Sequence, residues 1–338
     1  MKDNYLSVGI NLANTNHNDI FRFIDSMRNN KKYIHDFHFA HPNPSICKTG
    51  RNPMYIDKKT FISYIRILSI SGYNTTILLN LAEECNFEKI VKDLKDYVDN
   101  GLSAICTQKI ELGKMIKDEY PNLNIQGSCL SYKLRYEEFK DEIDAGYSIS
   151  NPINNIIRDP YNLKRNHNMG LKQKILVAEG CLNHCPFESI HRTNISSGIK
   201  QKSEFCESII NIDKDKYNLI NFLKANWVTI QRMIDLEEYI DVLKMARGTF
   251  YKTSSDLYGL ARELNRFIEN YNLTQSGKYV NYDILTLTAA APGGYLSRKF
   301  KNGIDSKLID DFDMFNNMNN EFILKKIVDI IFQINNLN

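Results

Sequence analysis

The chain has 338 residues, 43% hydrophobic and 11% aromatic, with 43 basic residues against 40 acidic. That length suits one large barrel or two medium domains around a substantial core. The near-cancellation of charge, +3 in all, argues against general nucleic-acid binding through a broad basic surface.

The N-terminus MKDNYLSVGI lacks the long apolar stretch of a signal peptide, and no apolar run approaches the roughly 20 residues of a membrane helix. The expectation is a soluble cytoplasmic protein with no membrane partner. Seven cysteines, an odd number in such a chain, argue against a disulfide framework and for buried thiols plus a metal or redox site.

Residues 6–12, LSVGINL, alternate with period two and predict a first strand. A helix follows through Phe21, Phe23, Ile24 and Met27, and a second strand runs from Tyr33 to Ala40. Phe61, Ile62, Ile65 and Leu68 mark a helix that Gly72 stops. TTILLNL, residues 75–81, is a third strand. The amphipathic helix after it carries Phe87, Ile90, Val91, Leu94 and Val98 on one face. Strands at 102–107, 123–130 and 146–149 come next, with helices through Met115 and Ile116 and over 136–145. Asn151-Pro152 opens a loop and helix to Asn166, and Ile175 to Ala178 form the seventh strand. Residues 240–246 supply an eighth, followed by a helix over Leu257 to Tyr271.

Strands alternating with helices predict parallel βα units. Eight of them give the fold class: α/β, a TIM-like (β/α)8 barrel over residues 1–275. The apolar segment Leu219 to Val228 falls inside an excursion after strand seven. Residues 276–338 form a C-terminal extension packed on the barrel, with a Gly293-Gly294 turn and a last helix from Phe322 to Ile334.

Active sites of such barrels lie at the C-terminal ends of the strands. The seventh strand stops at Glu179-Gly180 and delivers Cys181, Cys185 and Pro186, with His184 between the thiols and His191 and Arg192 just beyond. A helix starting at Pro186 would turn its positive end toward thiolates. Cys47, Cys85, Cys106 and Cys129 follow or end other strands, and Cys206 lies in the excursion. Three cysteines plus a distant one suit a [4Fe–4S] cluster. Zinc suits the same thiols, or two of them with His184 or His191. Cys106 and Cys129 sit on apolar strands and read as packed thiols. His35 and His38 point to opposite faces of a strand, so with His41 they read as structural rather than metal-binding, although His38 could face the barrel interior. Arg51, Arg158, Arg165 and Arg192 form a candidate group for a carboxylate or phosphate. Nucleotide-binding glycine loops, the serine-hydrolase elbow, HExxH and CxxxCxxC are all absent from the sequence.

The stretch Val177-Ala178-Glu179-Gly180-Cys181-Leu182-x2-Cys185-Pro186-Phe187, with His191 after it, resembles the NEGC-x3-CP(Y/F)…H signature of the U32 peptidase-like family. Ile77-Leu78-Leu79-Asn80 with Cys85, Phe205-Cys206, and Asn226-Trp227-Val228 leading to residues 241–248 resemble other segments of that family in the same order. Departures stand at Gly50-Arg51-Asn52, where GRP is usual, at 228–231 where RPED is usual, and at Ala246-Arg247-Gly248. They bear on substrate-contacting loops more than on the cysteines. The resemblance implies a TIM-like barrel with a [4Fe–4S] cluster on Cys181, Cys185, Cys206 and Cys85, with Cys47 as the alternative fourth ligand.

Three functions follow as expectations. The first is a redox modification of the oxygen-independent hydroxylation type, acting on a small molecule, peptide or RNA. The second is a metal-dependent peptidase or hydrolase, with Glu179 and His191 as candidate catalytic groups and Arg192 beside them. The third is a non-catalytic role beside a partner protein subunit.

Overall fold

The computed structural model describes residues 1–42, 56–80, 85–153, 156–157, 159–177, 230–245 and 257–278. Seven parallel strands form one curled sheet: β1 (Leu6–Gly9), β2 (Ile34–Ala40), β3 (Thr75–Leu79), β4 (Ala104–Thr107), β5 (Asn124–Gly127), β6 (Lys174–Val177) and β7 (Val242–Met245). Their order across the sheet is β5-β4-β3-β2-β1-β7-β6. The last strand therefore returns beside the first, with Leu6 opposite Leu243.

Helices occupy the connections: α1 (His17–Met27), α2 (Lys58–Ile70), α3 (Phe87–Val98), α4 (Ile110–Glu119), α5 (Lys140–Asp144), α6 (Pro160–Asn168), α7 (Ile230–Asp235) and α8 (Leu257–Gln275). Local chemistry sets their ends. Asn16 caps α1 in a reciprocal box with Asp19. Asp57 caps α2 and Asn86 caps α3, while Asp159 caps α6 with Pro160 in its first turn. Gly101 ends the α3 turn at φ +96°, and a Cβ there would also collide with the Ser69 side chain.

Alternation along the strands divides the molecule into two chemical layers. Leu6, Val8, Phe37, Phe39, Ile77, Leu79, Ile105, Ile125, Ile175, Val177, Leu243 and Met245 share the buried apolar core with the helices. The intervening positions hold Ser7, Asp36, His38, Thr76, Cys106, Gln126, Lys174 and Lys244, all buried as well. The sheet's inner face is thus mostly polar, where barrels of this type are filled by branched apolar side chains.

Two departures from the sequence reading concern a strand and a helix. The expected sixth strand is reduced to single bridges, Gln126 to Ile149 and Ser150 to Gln173. Gly127 N–H donates to Ile149 O at 2.9 Å and Lys174 N–H to Ser150 O at 2.8 Å, so this segment links the sheet's two edge strands. It is short because Gly146, at φ +73°, ends the preceding turn and Asn151-Pro152 follows at once, proline having no N–H for a ladder. The second departure is α7: Ile230 and Gln231, read as part of a diverged loop motif, begin a helix.

At the N-terminal ends of the strands the chain's two described ends meet. The Met1 amine donates to Asn272 Oδ1 at 2.8 Å, and Asn265 Nδ2 donates to Ser26 O at 3.0 Å, tying α8 to the start of the chain. Helix α8 stops at Gln275. The Leu219–Val228 segment, the Gly293-Gly294 turn and the Phe322–Ile334 helix lie outside the described residues. Among those residues no helix is long and apolar enough to cross a membrane.

Candidate functional site

The strands are parallel, so the segments that follow them leave from one end of the sheet. Asn80 follows β3, Gln108 follows β4 and Ser128 follows β5, while Asn151 ends the bridging segment. Ser128 Oγ donates to Asn80 Oδ1 at 2.9 Å, and the Asn151 amide donates to Gly127 O. These described residues carry carboxamide and hydroxyl groups, and the Lys133–Glu142 pair stands beside Gly127 and Ser150.

Most of the cysteine site predicted from sequence falls outside the described residues: Cys47, Cys181, Cys185 and Cys206, together with Glu179, His184, His191 and Arg192. Strand β6 ends at Val177, shortly before Cys181. Cys85 is described. It is half-buried against the apolar core and immediately precedes Asn86, the N-cap of α3.

Cys106 behaves differently. Its Sγ donates to Gly127 O at 3.1 Å, and burial pushes the thiol above its ordinary value. It is a packed, protonated thiol, as the strand position suggests. Cys129 is buried in the turn after β5. Among the described residues, no three His, Cys, Asp or Glu side chains form a group able to hold a metal ion.

The best-defined chemistry in the described residues lies beneath the rim, inside the sheet's curl. The Asp36 carboxylate accepts four hydrogen bonds from four other strands. Thr76 Oγ1 donates to its Oδ2 at 2.6 Å, Gln126 Nε2 at 3.2 Å and Lys174 Nζ at 2.8 Å, while Ser7 Oγ donates to its Oδ1. Lys174 Nζ also donates to Gln126 Oε1 at 2.9 Å. Ser7 Oγ lies 3.0 Å from His38 Nδ1. Lys244, in register with Ser7, is buried nearby.

Burial opposes charge on both members of the Asp36–Lys174 pair. At Asp36 the Lys174 ammonium, with His35 and His38, outweighs that penalty and holds the carboxyl well below the usual carboxylate range. At Lys174 burial, reinforced by Lys244, pulls the amine below the ordinary lysine value against the attraction of Asp36. The two tendencies oppose each other across one ion pair. The hydrogen-bond complement around Asp36 decides for the charged pair, since every donor there favours the carboxylate.

None of Ser7, Asp36, Thr76, Gln126 and Lys174 was selected from the sequence. A signal existed: a polar residue recurs at the inward position of strands that are otherwise apolar. His38 does face the interior. His41 instead turns outward beneath α3, where its Nε2 meets Asp93 Oδ2 at 3.0 Å and Lys58 holds the other carboxylate oxygen at 2.9 Å. Burial works against charge on Asp93, but those two partners lower its carboxyl below the usual range. Arg165 departs from the expected arginine group. It lies within α6, and its Nη1 donates to Glu137 Oε2 at 3.0 Å on the outer surface. Arg51, Arg158 and Arg192 lie outside the described residues.

No protein-family model matches the chain, and no curated protein does. Solved structures with similar shapes include a U32 peptidase, at 10% identity and TM-score 0.49, covering 73% of this chain and 94% of that one. Tryptophan synthase from M. tuberculosis aligns at 8% identity and TM-score 0.44, over 87% of this chain and 94% of its own. KGPDC from Streptococcus mutans aligns at 13% identity and TM-score 0.37, over 80% and 98%. These are distant likenesses; the barrel-type architecture rests on the parallel strand order itself.

Proposed function

We propose that this chain is an iron–sulfur barrel enzyme of the U32 peptidase-like type. In this reading a [4Fe–4S] cluster is held by Cys181, Cys185, Cys206 and Cys85, with Cys47 as the alternative fourth ligand. The reaction is a redox modification of the oxygen-independent hydroxylation type. The observation that carries the reading is the course of the parallel strands: β3 and β6 end at the same edge of the barrel, and each is followed within a few residues by a proposed ligand.

The donor chemistry fits. Cys85 is half-buried just before the N-cap of α3, whereas Cys106, inside β4, is a buried thiol that donates to Gly127 O and is left out of the set. When bound, the cluster supplies one-electron redox chemistry that no side chain offers. The chain's own residues supply the setting. The Asp36–Lys174 network fixes the start of β6, the strand leading to Cys181, and Asn80, Ser128 and Asn151 set hydrogen-bonding groups at the strand ends.

Protein prepared without oxygen from iron-replete cells tests this through its absorption spectrum and its metal and sulfide content. About four irons and four sulfides per chain are expected, with colour lost in Cys181→Ala and Cys185→Ala. Zinc without iron would favour the metal-dependent peptidase reading, with Glu179 and His191 beside the metal. Colourless, metal-free protein overturns both.

A further inference from the structure

A hollow of about 480 Å³ opens at the N-terminal end of the sheet, away from the strand ends that lead to the cysteines. It lies where three strands begin: Asn4 precedes β1, Ile34 opens β2 and Asn74 precedes β3. A 3-10 helix over Arg28–Tyr33 supplies one wall with Arg28, Asn29, Lys31 and Lys32, and Gly72 brings in the C-terminal turn of α2. Residues 28–32 read RNNKK, a basic run without an acid. Cations, carboxamides, a glycine and one apolar residue line the hollow; carboxylates do not.

The walls are held by the backbone. Asn4 N–H donates to Lys32 O at 2.7 Å, and Asn74 Nδ2 donates to His35 O at 3.1 Å. Lys31 is placed by its neighbours: its ammonium lies over the Tyr73 ring, 5.6 Å from the centre, and a Cβ at Gly72 would collide with it. Among the described residues no carboxylate pairs with Lys31. The acids at the edge are Asp25, 2.7 Å from Arg28, and Asp3, 3.9 Å from Lys32, and both pairs are exposed. Exposed pairs of this kind contribute little, so a more highly charged anion can displace them.

We propose that this hollow binds a small molecule carrying a phosphate monoester, with Arg28, Lys31 and Lys32 neutralising the phosphate and the carboxamides of Asn29 and Asn74 at its margin. A guanidinium fork and ammonium groups together suit the several oxygens of a dianion better than the two of a carboxylate. The volume falls in the range of small-molecule sites, about 300–1,000 Å³, which leaves room for an organic group against Ile34 beside the phosphate. The site is at the other end of the strands from the proposed cysteine site and does not rest on that reading.

Isothermal titration of the full chain with glycerol phosphate at fixed, low salt tests the site. Saturable binding is expected, weakened several-fold in Lys31→Gln and in Arg28→Gln and unchanged in Lys95→Gln, which alters an exposed lysine of α3. Arg28 and Lys31 are exposed, so both variants are expected to keep the fold, and thermal unfolding checks this. Amide NMR shifts are expected at residues 28–34 and 72–74. Failure of glycerol phosphate to bind overturns the proposal. So does binding that neither variant weakens, which would leave these cations only the task of offsetting the C-terminal ends of α1 and α2. Acetate binding as tightly as glycerol phosphate overturns the phosphate class. Single-stranded RNA that shifts the same amides where glycerol phosphate does not would make the partner a polyanion and overturn the small-molecule class.

Discussion

Lys174→Met tests the interior ion pair most sharply. The substitution removes the ammonium that hydrogen-bonds to Asp36, and Gln126 Oε1 loses that donor with it. Ser7, Thr76 and Gln126 still reach the carboxylate, but as neutral donors. Both side chains of the pair are at most 2% exposed, so water cannot replace the ammonium. Breaking one side of such a pair costs about 3–5 kcal/mol, against a total stability of about 5–15 kcal/mol for a folded protein. The double variant Asp36→Asn/Lys174→Met leaves no uncompensated charge and is expected to regain most of that loss. Urea unfolding at neutral pH, followed by far-UV circular dichroism, measures both. A Lys174→Met loss below about 1 kcal/mol, the range of exposed pairs, would refute the reasoning. So would a double variant as unstable as the single one.

The pH dependence of the same pair has a definite sign. The folded Asp36 carboxyl lies below its unfolded value, so its contribution is present above about pH 4 and is lost on further acidification. The stability gap between wild type and the double variant should therefore narrow as pH falls below about 4; a gap that widens there contradicts the assignment. Gly127→Ala should cost about 1–3 kcal/mol, because its Cβ would collide with the Glu142 carboxylate, which is engaged by Lys133 at 2.9 Å and Ser150 at 2.7 Å; thermal unfolding checks this. Cys106→Ala should lose about 1 kcal/mol for its bond to Gly127 O and leave iron content unchanged, whereas Cys85→Ala should lower it; parallel iron assays separate the two thiols.

The helices and most strands were legible because each carries one dominant signal. Helix α3 shows apolar residues at helical spacing behind an asparagine cap, and β3 is a short apolar run closed by a polar residue. The sixth strand forms single bridges only, because its few apolar residues suffice for a bridge but not for a ladder ahead of Pro152. The interior network was missed for a different reason. Asp36 and Lys174 are 138 positions apart, and each alone is an ordinary charged residue in a strand. Only strand order and register bring them together. His38 reads from the sequence as structural and able to face the interior; that Ser7 on the neighbouring strand is a partner of its ring is something spacing along one strand cannot express.

The interior network also bears on the register of β6, the strand that leads toward the proposed cysteine site. Strand β6 has four residues, too few for its own ladder to resist a shift. A slip by one position would turn Ile175 and Val177 toward the polar interior and press Lys174 against the apolar core. Asp36 and Gln126 oppose that slip by holding the Lys174 ammonium from two different strands. The register of β6 is thereby set at its N-terminal end. On this account Lys174→Met should loosen β6 before it unfolds the rest of the sheet. Hydrogen exchange resolved to peptides covering 170–177 can see this, through faster exchange there at urea concentrations that leave α1 and α8 protected. Uniform exchange across all of these peptides would mean that the ion pair stabilises the sheet as a whole and does not set the register of β6.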